Sequence, residues 1–317
     1  MSTSITTDIA FCQDLLKAGR LVAIPTETVY GLAANIMDAD AIKSIFEMKG
    51  RPMFNPLIVH IHSLEQLPLL VKDVPENAMR LAEAFWPGSL TLILPKKAEV
   101  SDTVTAGKPT VGIRMPNHPT TLELLRGLPF PIAAPSANPS TRVSPTSAQH
   151  VASYFGARIP AILDGGPCTV GLESTIVGFN GETPIVYRKG GISVEAIAAI
   201  VGEVQLVTKA DKAPLAPGML LKHYSPKTKL VLSNTVAATL KNYTDFKVGV
   251  ISFSTAYKNV AISRALSKTG DLAEAAKNLF ATLHELDQLE LDFIIAEKFP
   301  EKGLGTSIND RLERAAY

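Results

Sequence analysis

Short apolar runs punctuated by turn residues fill the first two hundred positions. "RLVAI" (20–24), "PLIVHI" (56–61), "SLTLILP" (89–95), "TVGIRMP" (110–116) and "FPIAAP" (130–135) have strand composition between breakers. So do "AILDGG" (161–166), "STIVGF" (174–179) and "TPIVYRKG" (183–190). Helical spacing appears between them. Thr7 and Asp8 cap "IAFCQDLLKAG", which closes at Gly19. Asp38 or Asp40 caps "AIKSIFEMK", which stops at Gly50. Pro75 begins "PENAMRLAEAF", and "SPTSAQHVASYF" and "SVEAIAAIVG" start with capping serines. Strands outnumber helices and do not alternate strictly with them, which predicts an α/β fold with a twisted mixed sheet.

The texture changes around Val204. "TKADKAPLAPGMLLKHYSPKTK" (208–229) is proline-rich without a sustained period, the composition of a linker. Beyond it, strands "KLVLS", "KVGVISF" and "FIIAEKF" alternate with helical runs "TVAATLKNY", "DLAEAAKNLFATLHELDQL" and "TSINDRLERAAY". That alternation predicts a small Rossmann-like parallel sheet. The expected division is a first domain over 1–205, a linker over 206–227 and a small α/β domain over 228–317.

A chain of 317 residues suits two domains, and 46% hydrophobic with 19% charged residues reads as globular. The formal net charge of +1 gives no bulk argument for nucleic acid or membrane. Cys12 and Cys168 form no metal spacing and no disulfide framework, so free thiols in a reducing compartment are expected. The N-terminal residues lack the charged start and apolar core of a signal peptide, and no apolar run reaches the ~18 residues of a membrane span. A cytoplasmic protein without a membrane partner is expected.

The usual catalytic motifs are absent. There is no GxxxxGK[ST], no GxSxG and no HExxH. Gly303-Leu304-Gly305 lacks the third glycine and preceding strand of a dinucleotide fingerprint. His60 and His62 share one strand face, more often a satisfied pair than a metal site, and no metal ligands are assigned.

Polar residues instead gather where apolar strands end, the place α/β folds put ligands. The groups are Thr26-Glu27-Thr28; Lys49, Arg51 and Asn55, with His60 beyond a short strand; Thr110 and Arg114; Ser136, Asn138 and Ser144; Glu173, Ser174 and Thr175; and Arg188 with Lys189. Singly, several have bland readings. "KGRP" reads equally as a helix end whose cations complement the dipole, and the serines among prolines as turns. Arg114 and Arg188 are harder to dismiss, since each follows an apolar strand and needs an anionic partner. Together the four cations and many hydroxyls read as a pocket for a ligand carrying phosphates and a carboxylate.

"PTETVYGL", "KGRPMFNPLIVHI", "WPGSLTLIL", "VGIRMP", "PIAAPSAN", "SPT", "ILDGG", "ESTIV" and "RKGGIS" occur in that order. This set resembles the YrdC-like threonylcarbamoyl-AMP synthase family across the first domain. "APGMLLKHYSP" and "GLGTSINDRLERAA" resemble the linker and extra domain of its long, two-domain form. The resemblance implies a YrdC-like sheet with a concave positive cavity, joining L-threonine, bicarbonate and ATP into threonylcarbamoyl-AMP with release of pyrophosphate. Mg²⁺ on the phosphates is the implied cofactor. The product serves N6-threonylcarbamoyladenosine formation in tRNA, with tRNA and a downstream threonylcarbamoyl-transferase complex as further partners left open. Carried over motif by motif, Thr28, His60, Arg114, Ala134 and Ser174 hold threonine, with Arg114 on its carboxylate. Arg51, Asn55, Thr110, Ser136, Ser144 and Arg188 hold ATP, Lys49 lies beside the phosphates, and Tyr224 reaches the nucleotide from the linker. Lys49, Arg51 and Arg188 carry the catalytic charge. No general base is evident; Glu27 and Glu173 stand open between chemical and structural roles. The alternatives are a carbamoyl-transfer enzyme on the same core, without its zinc and acylphosphatase modules here, and an RNA-binding module using the basic face.

Overall fold

The computed structural model describes residues 4–207 and 223–316, so most of the expected linker, 208–222, lies outside the described residues. The first domain runs β1 (Ser4–Thr6), α1 (Ile9–Lys17), β2 (Val22–Ile24), β3 (Gly31–Asn35), α2 (Ala39–Lys49) and β4 (Ile58–His60). Then come α3 (Leu67–Leu70), α4 (Glu76–Phe85), β5 (Leu90–Pro95), α5 (Asp102–Thr105), β6 (Thr110–Arg114), α6 (Pro119–Arg126) and β7 (Ile132–Ala133). It ends with α7 (Ala148–Phe155), β8 (Ala161–Leu163), β9 (Thr175–Asn180), β10 (Thr183–Arg188), α8 (Val194–Val201) and β11 (Gln205–Leu206). The eleven strands form one mixed sheet in the order β1-β8-β2-β3-β7-β4-β6-β5-β9-β10-β11.

The capping signals hold. The Asp8 carboxylate accepts from the Phe11 N–H, and Asp38 accepts from the N–H groups of Asp40 and Ala41. Gly50 closes α2 in the left-handed region at φ 59°. Pro75 sits one residue earlier than a first-turn position, as the residue preceding α4. The strands β1, β3 and β11, a later strand over Ile262–Ala265, and the helices α3, α5 and α6 carry no clear sequence signal. Most are short, and β3 is glycine and alanine held by pairing to β2 and β7. Gly31 allows a close approach there, since a Cβ would lie 3.1 Å from the Ala134 methyl and push it by a few tenths of an ångström.

Strand alternation positions the site. Val59, Leu92, Val111, Ile113 and Val177 enter the main core beneath α2, α4, α7 and α8. The intervening residues Ile58, His60, Thr91, Thr110, Arg114 and Ile176 therefore face the other way. Helices α1 and α6 cover that opposite face only around β2, β7 and β8. What remains is a concave surface floored by Ile58 and Ile176.

The second domain contains β12 (Lys229–Ser233), α9 (Val236–Leu240), β13 (Val248–Ser252), β14 (Ile262–Ala265), α10 (Leu272–Leu286), β15 (Phe293–Glu297) and α11 (Leu304–Ala315). Its sheet is wholly parallel, ordered β12-β15-β13-β14, as the alternation predicts. Helix α9 is shorter than "TVAATLKNY" suggests. The apolar cluster beneath α10 and α11 also takes in Val29, Val143, Leu172 and Tyr224, so one core runs across the junction between domains. At Gly171 the backbone comes so close to Lys277 that a Cβ would meet its carbonyl oxygen at 2.4 Å, and φ is +75° besides. Both cysteines are free and buried, with thiols pushed up by burial to about 11 for Cys12 and about 12 for Cys168. Among the described residues, no helix is long and apolar enough to cross a membrane.

Candidate active site

The ends of β2, β4, β6, β7 and β10 converge on one cavity. Its wall includes Val29, Arg51, Ile58, His60, Arg114, Ala134, Ser136, Glu173, Ser174 and Arg188, with His223 and Tyr224 standing over it. The free space is about 50 Å³, room for a few water molecules. Parallel pairing of β4 with β6 puts His60 directly beside Arg114. Antiparallel bridging of Gly31 to Ser136 brings the loop after β7 against the one after β2.

Four cations are buried here: Lys49 at 3% exposure, Arg51 at 9%, Arg114 at 5% and Arg188 at 8%. Buried charge demands a partner. The Lys49 ammonium donates to the carbonyls of Ser136 and Asn138. Arg51 donates from Nε to the Asn55 carbonyl at 3.1 Å and from Nη2 to the Pro56 carbonyl at 2.8 Å. Arg188 donates from Nε and Nη2 to the Ser174 carbonyl at 3.1 and 2.9 Å, and from Nη2 to the Ser174 hydroxyl at 3.1 Å. Carbonyl dipoles orient these groups without neutralising them. Burial, then the neighbouring Arg51, holds the Lys49 amine well below its ordinary value. Burial, then Arg188, pushes Arg51 down to about 9. A bound polyanion would relieve both.

Arg114 is different. Its Nη2 donates to Glu27 Oε1 at 2.6 Å, with both side chains buried. Glu27 also accepts from the Ser89 hydroxyl at 3.0 Å and from the Asn117 N–H at 3.0 Å. Glu27, anchored by Ser89 and Asn117, thus holds the guanidinium in place, an arrangement that suits the structural side of its open role. His60 is held neutral, its pKa lowered to about 3 by burial and by Arg114. With Nδ1 toward the Ile58 carbonyl at 3.3 Å, the lone pair of Nε2 is available as an acceptor.

The predicted residues divide into two groups. Arg51, His60, Arg114, Ala134, Ser136, Ser174, Arg188 and Tyr224 line the cavity together. Five stand off its surface. The Thr28 side chain is fully buried, its hydroxyl 2.8 Å from that of Thr26, and Val29 forms the wall instead. Lys49 lies behind the Ser136 loop. Ser144 is buried and donates to Glu173 Oε1 at 2.6 Å. Thr110 lines an adjoining recess with Thr91, Lys108 and Gly112, sharing Ile58 with the main cavity. Asn55 is buried beside Arg51, and its Oδ1 has no protein partner among the described residues. Asn138 Oδ1, His223 Nδ1, Tyr224 OH and Ser225 Oγ are likewise buried and without a partner there.

Sequence reasoning passed over His223, though it adjoins Tyr224 in "HYSP". It also passed over Arg311. That residue reaches Glu173 Oε2 with Nε at 2.9 Å from α11 in the other domain. A signal existed: Ser307, Ile308, Arg311, Leu312 and Ala315 share one buried helical stripe, so a cation interrupts an apolar face. Burial pushes the Glu173 carboxyl up, but Arg311, Arg188 and the Ser144 hydroxyl outweigh it and hold it below the usual carboxylate range.

The comparisons with known proteins come to the same place. A family model described as Sua5_yciO_yrdC, telomere recombination, matches residues 14–190. One described as the C-terminal domain of threonylcarbamoyl-AMP synthase matches residues 192–317. A threonylcarbamoyl-AMP synthase of Bacillus subtilis is 42% identical, over 97% of this chain and 92% of its own. That of Pyrococcus abyssi is 41% identical, over 97% of this chain and 94% of its own. The crystal structure of P. abyssi Sua5 complexed with L-threonine matches with a TM-score of 0.91 at 42% identity, covering 97% of this chain and 94% of that one.

Proposed function

Since the chain belongs to the Sua5–YciO–YrdC family in its two-domain form, we propose that it condenses L-threonine, bicarbonate-derived carbon and ATP into threonylcarbamoyl-AMP and pyrophosphate. The observation that carries the reading is the convergence of Arg51, Arg114 and Arg188, all buried, at one cavity, with buried Lys49 behind its Ser136 loop, in a chain matched to these synthases along both domains.

The chemistry asks for alignment more than for a protein nucleophile. The threonine amine captures the one-carbon unit as a carbamate, with loss of water from bicarbonate. A carbamate oxygen then attacks the α-phosphorus as the bond to pyrophosphate breaks. Arg114, aimed by Glu27, takes the threonine carboxylate; His60 and Ser174 offer an acceptor and a hydroxyl beside it. Arg51 and Arg188 face the nucleotide, and Lys49 supports them through the Ser136 loop. Their charge stabilises the departing pyrophosphate, and holding two anions in line lowers the entropic part of the barrier. Thr28 acts through Thr26 and the loop, and Ser144 through Glu173. Asn55 Oδ1, Asn138 Oδ1 and Tyr224 OH, which have no partner among the described residues, would serve as acceptors and a donor for the nucleotide.

Among the described residues no three metal-ligating side chains cluster, and Glu27 and Glu173 are both engaged, so Mg²⁺ would be held by the phosphates of ATP as their counter-ion. The product then feeds N6-threonylcarbamoyladenosine formation in the cytoplasm, with tRNA and a separate transferase complex downstream. The division into a catalytic domain over 1–205, a linker over 206–227 and a small domain over 228–317 belongs to the same reading. Incubation with ATP, Mg²⁺, bicarbonate and threonine should release pyrophosphate only when threonine is present; release that ignores threonine, or none, overturns the assignment.

A further inference from the structure

Among the described residues on the cavity wall, Glu173 is the one carboxylate, set beside the cations Arg51, Arg114 and Arg188. Its charge acts on Lys49, Arg188 and His223. Left alone, an ionised Glu173 would draw Lys49 and Arg188 toward itself and away from any phosphate. It is not alone, because the second domain delivers a cation to its far side.

Arg311 is the largest fully buried side chain described, 1% exposed. It makes a fork of contacts. Nε meets Glu173 Oε2 at 2.9 Å, Nη2 donates to the Lys189 carbonyl at 2.8 Å and Nη1 meets Asp310 Oδ2 at 2.7 Å. The guanidinium lies 5.0 Å from the centre of the Tyr224 ring. One turn earlier on the same face, the Ser307 hydroxyl donates to the Gly190 carbonyl at 2.9 Å. A single side chain of α11 therefore touches three segments around the cavity: the strand entry at Glu173, the strand exit after Arg188, and the returning chain at Tyr224.

We propose that Arg311 is a positioning residue for the nucleotide. It neutralises Glu173 from behind, so that the charge of Lys49, Arg51 and Arg188 remains available to the phosphates of ATP. The second domain thereby completes the electrostatics of the active site without contacting substrate. This rests on the synthase reading above. The pair is graded by function: its Oε1 end fixes the Ser144 hydroxyl, and its Oε2 end takes the cation. Replacing Arg311 alone strands a buried anion among the catalytic cations. Replacing both partners removes the anion as well.

The test is the full-length protein with R311M, E173Q and E173Q/R311M, assayed by threonine-dependent pyrophosphate release and by equilibrium titration with ATP. The glutamine keeps the acceptor for Ser144 but no charge. R311M should weaken ATP by about tenfold or more in KM, while the threonine KM and kcat at saturating ATP move less than about threefold. E173Q should bind ATP as well as the natural chain or better. E173Q/R311M should recover ATP affinity to within about threefold of the natural chain. A merely structural pair would weaken ATP in both single variants, and that result overturns the proposal. So does a double variant as poor as R311M. If R311M does not fold, E173Q and the double variant decide alone: ATP affinity within about threefold of the natural chain in both supports the proposal, and a larger loss in either overturns it. If the natural chain binds ATP but releases no threonine-dependent pyrophosphate, it is the synthase reading that fails, and the titrations still judge the charge balance.

Discussion

At the scale of single residues, Arg114 with Glu27 shows how a site charge is held. One nitrogen of the guanidinium is committed to Glu27 at 2.6 Å and Nε approaches the Gly88 carbonyl at 3.3 Å, fixing the plane of the fork toward the cavity. Arg114→Ala should raise the threonine KM roughly 10- to 100-fold, the worth of hydrogen bonds to a charged group, and the ATP KM far less. Steady-state kinetics with each substrate varied in turn checks this, and equal losses would detach Arg114 from the carboxylate. Tyr224→Ala should lower ATP affinity and also cost stability of about 3–5 kcal/mol, typical for truncating a buried aromatic. Its ring is 1% exposed and stacks 5.5 Å from Phe280. ATP titration and thermal melting measure the two effects separately. Much of this was legible beforehand, because a cation directly after Val111 and Ile113 has no bland explanation. Arg311 was harder to read: it falls on the stripe of Ile308, Leu312 and Ala315, but the charges beside it in "NDRLERAA" make it look like one more solvated position. Only the partner domain makes it a buried one.

Among elements, the joint between α7 and α10 is a pair of stacked imidazoles. His150 and His284 lie 3.9 Å apart, and His284 Nε2 is 3.1 Å from the Ser144 carbonyl. Burial, with His284 opposite, lowers the His150 pKa to about 3; burial lowers that of His284 to about 4. Burial likewise puts His60 and His223 at about 3. Each folded pKa lies below the ordinary 6.5, so the unfolded chain binds protons first as pH falls. The neutral imidazoles thus stabilise the fold fully above pH 6.5, and that stability drains away as pH drops toward 4, at up to about 1.4 kcal/mol per pH unit for each group. Thermal melts between pH 8 and pH 4 should show a falling Tm in this window. His150→Phe, which keeps a ring in the stack, should fall less steeply; an unchanged slope would remove the joint from the explanation. Elements with caps and apolar periodicity, such as α1, α2, α8 and α10, were readable from sequence. Strands β1 and β14 were not, since short segments such as "SIT" and "ISRA" become strands only through pairing with β8 and β13.

For the whole molecule, one apolar cluster runs across the junction between the domains, and Arg311 of the second reaches Glu173 on the cavity wall of the first. Deleting residues from Ala213 onward strips Arg311 from Glu173, and removing one partner of a buried pair costs about 3–5 kcal/mol. We expect at least about 100-fold less turnover and a lower Tm, read by pyrophosphate release and calorimetry on the truncated chain; full activity would mean the first domain suffices. The change of texture near Val204 led to the expectation of two domains, and the alternation beyond it made the parallel sheet of β12, β13, β14 and β15 readable. The docking between the domains was not, because it depends on Val29, Leu172 and Tyr224 joining a cluster with α10 and α11 from far along the chain. The reach of Arg311 back to Glu173 across 138 residues also sets an order of events during synthesis. At about 5–20 residues per second, the ribosome makes the carboxylate roughly 7–28 seconds before its cation. In that interval Glu173 stands without its cation. Newly made protein would come into service only when the last helix docks, a built-in delay between folding and activity.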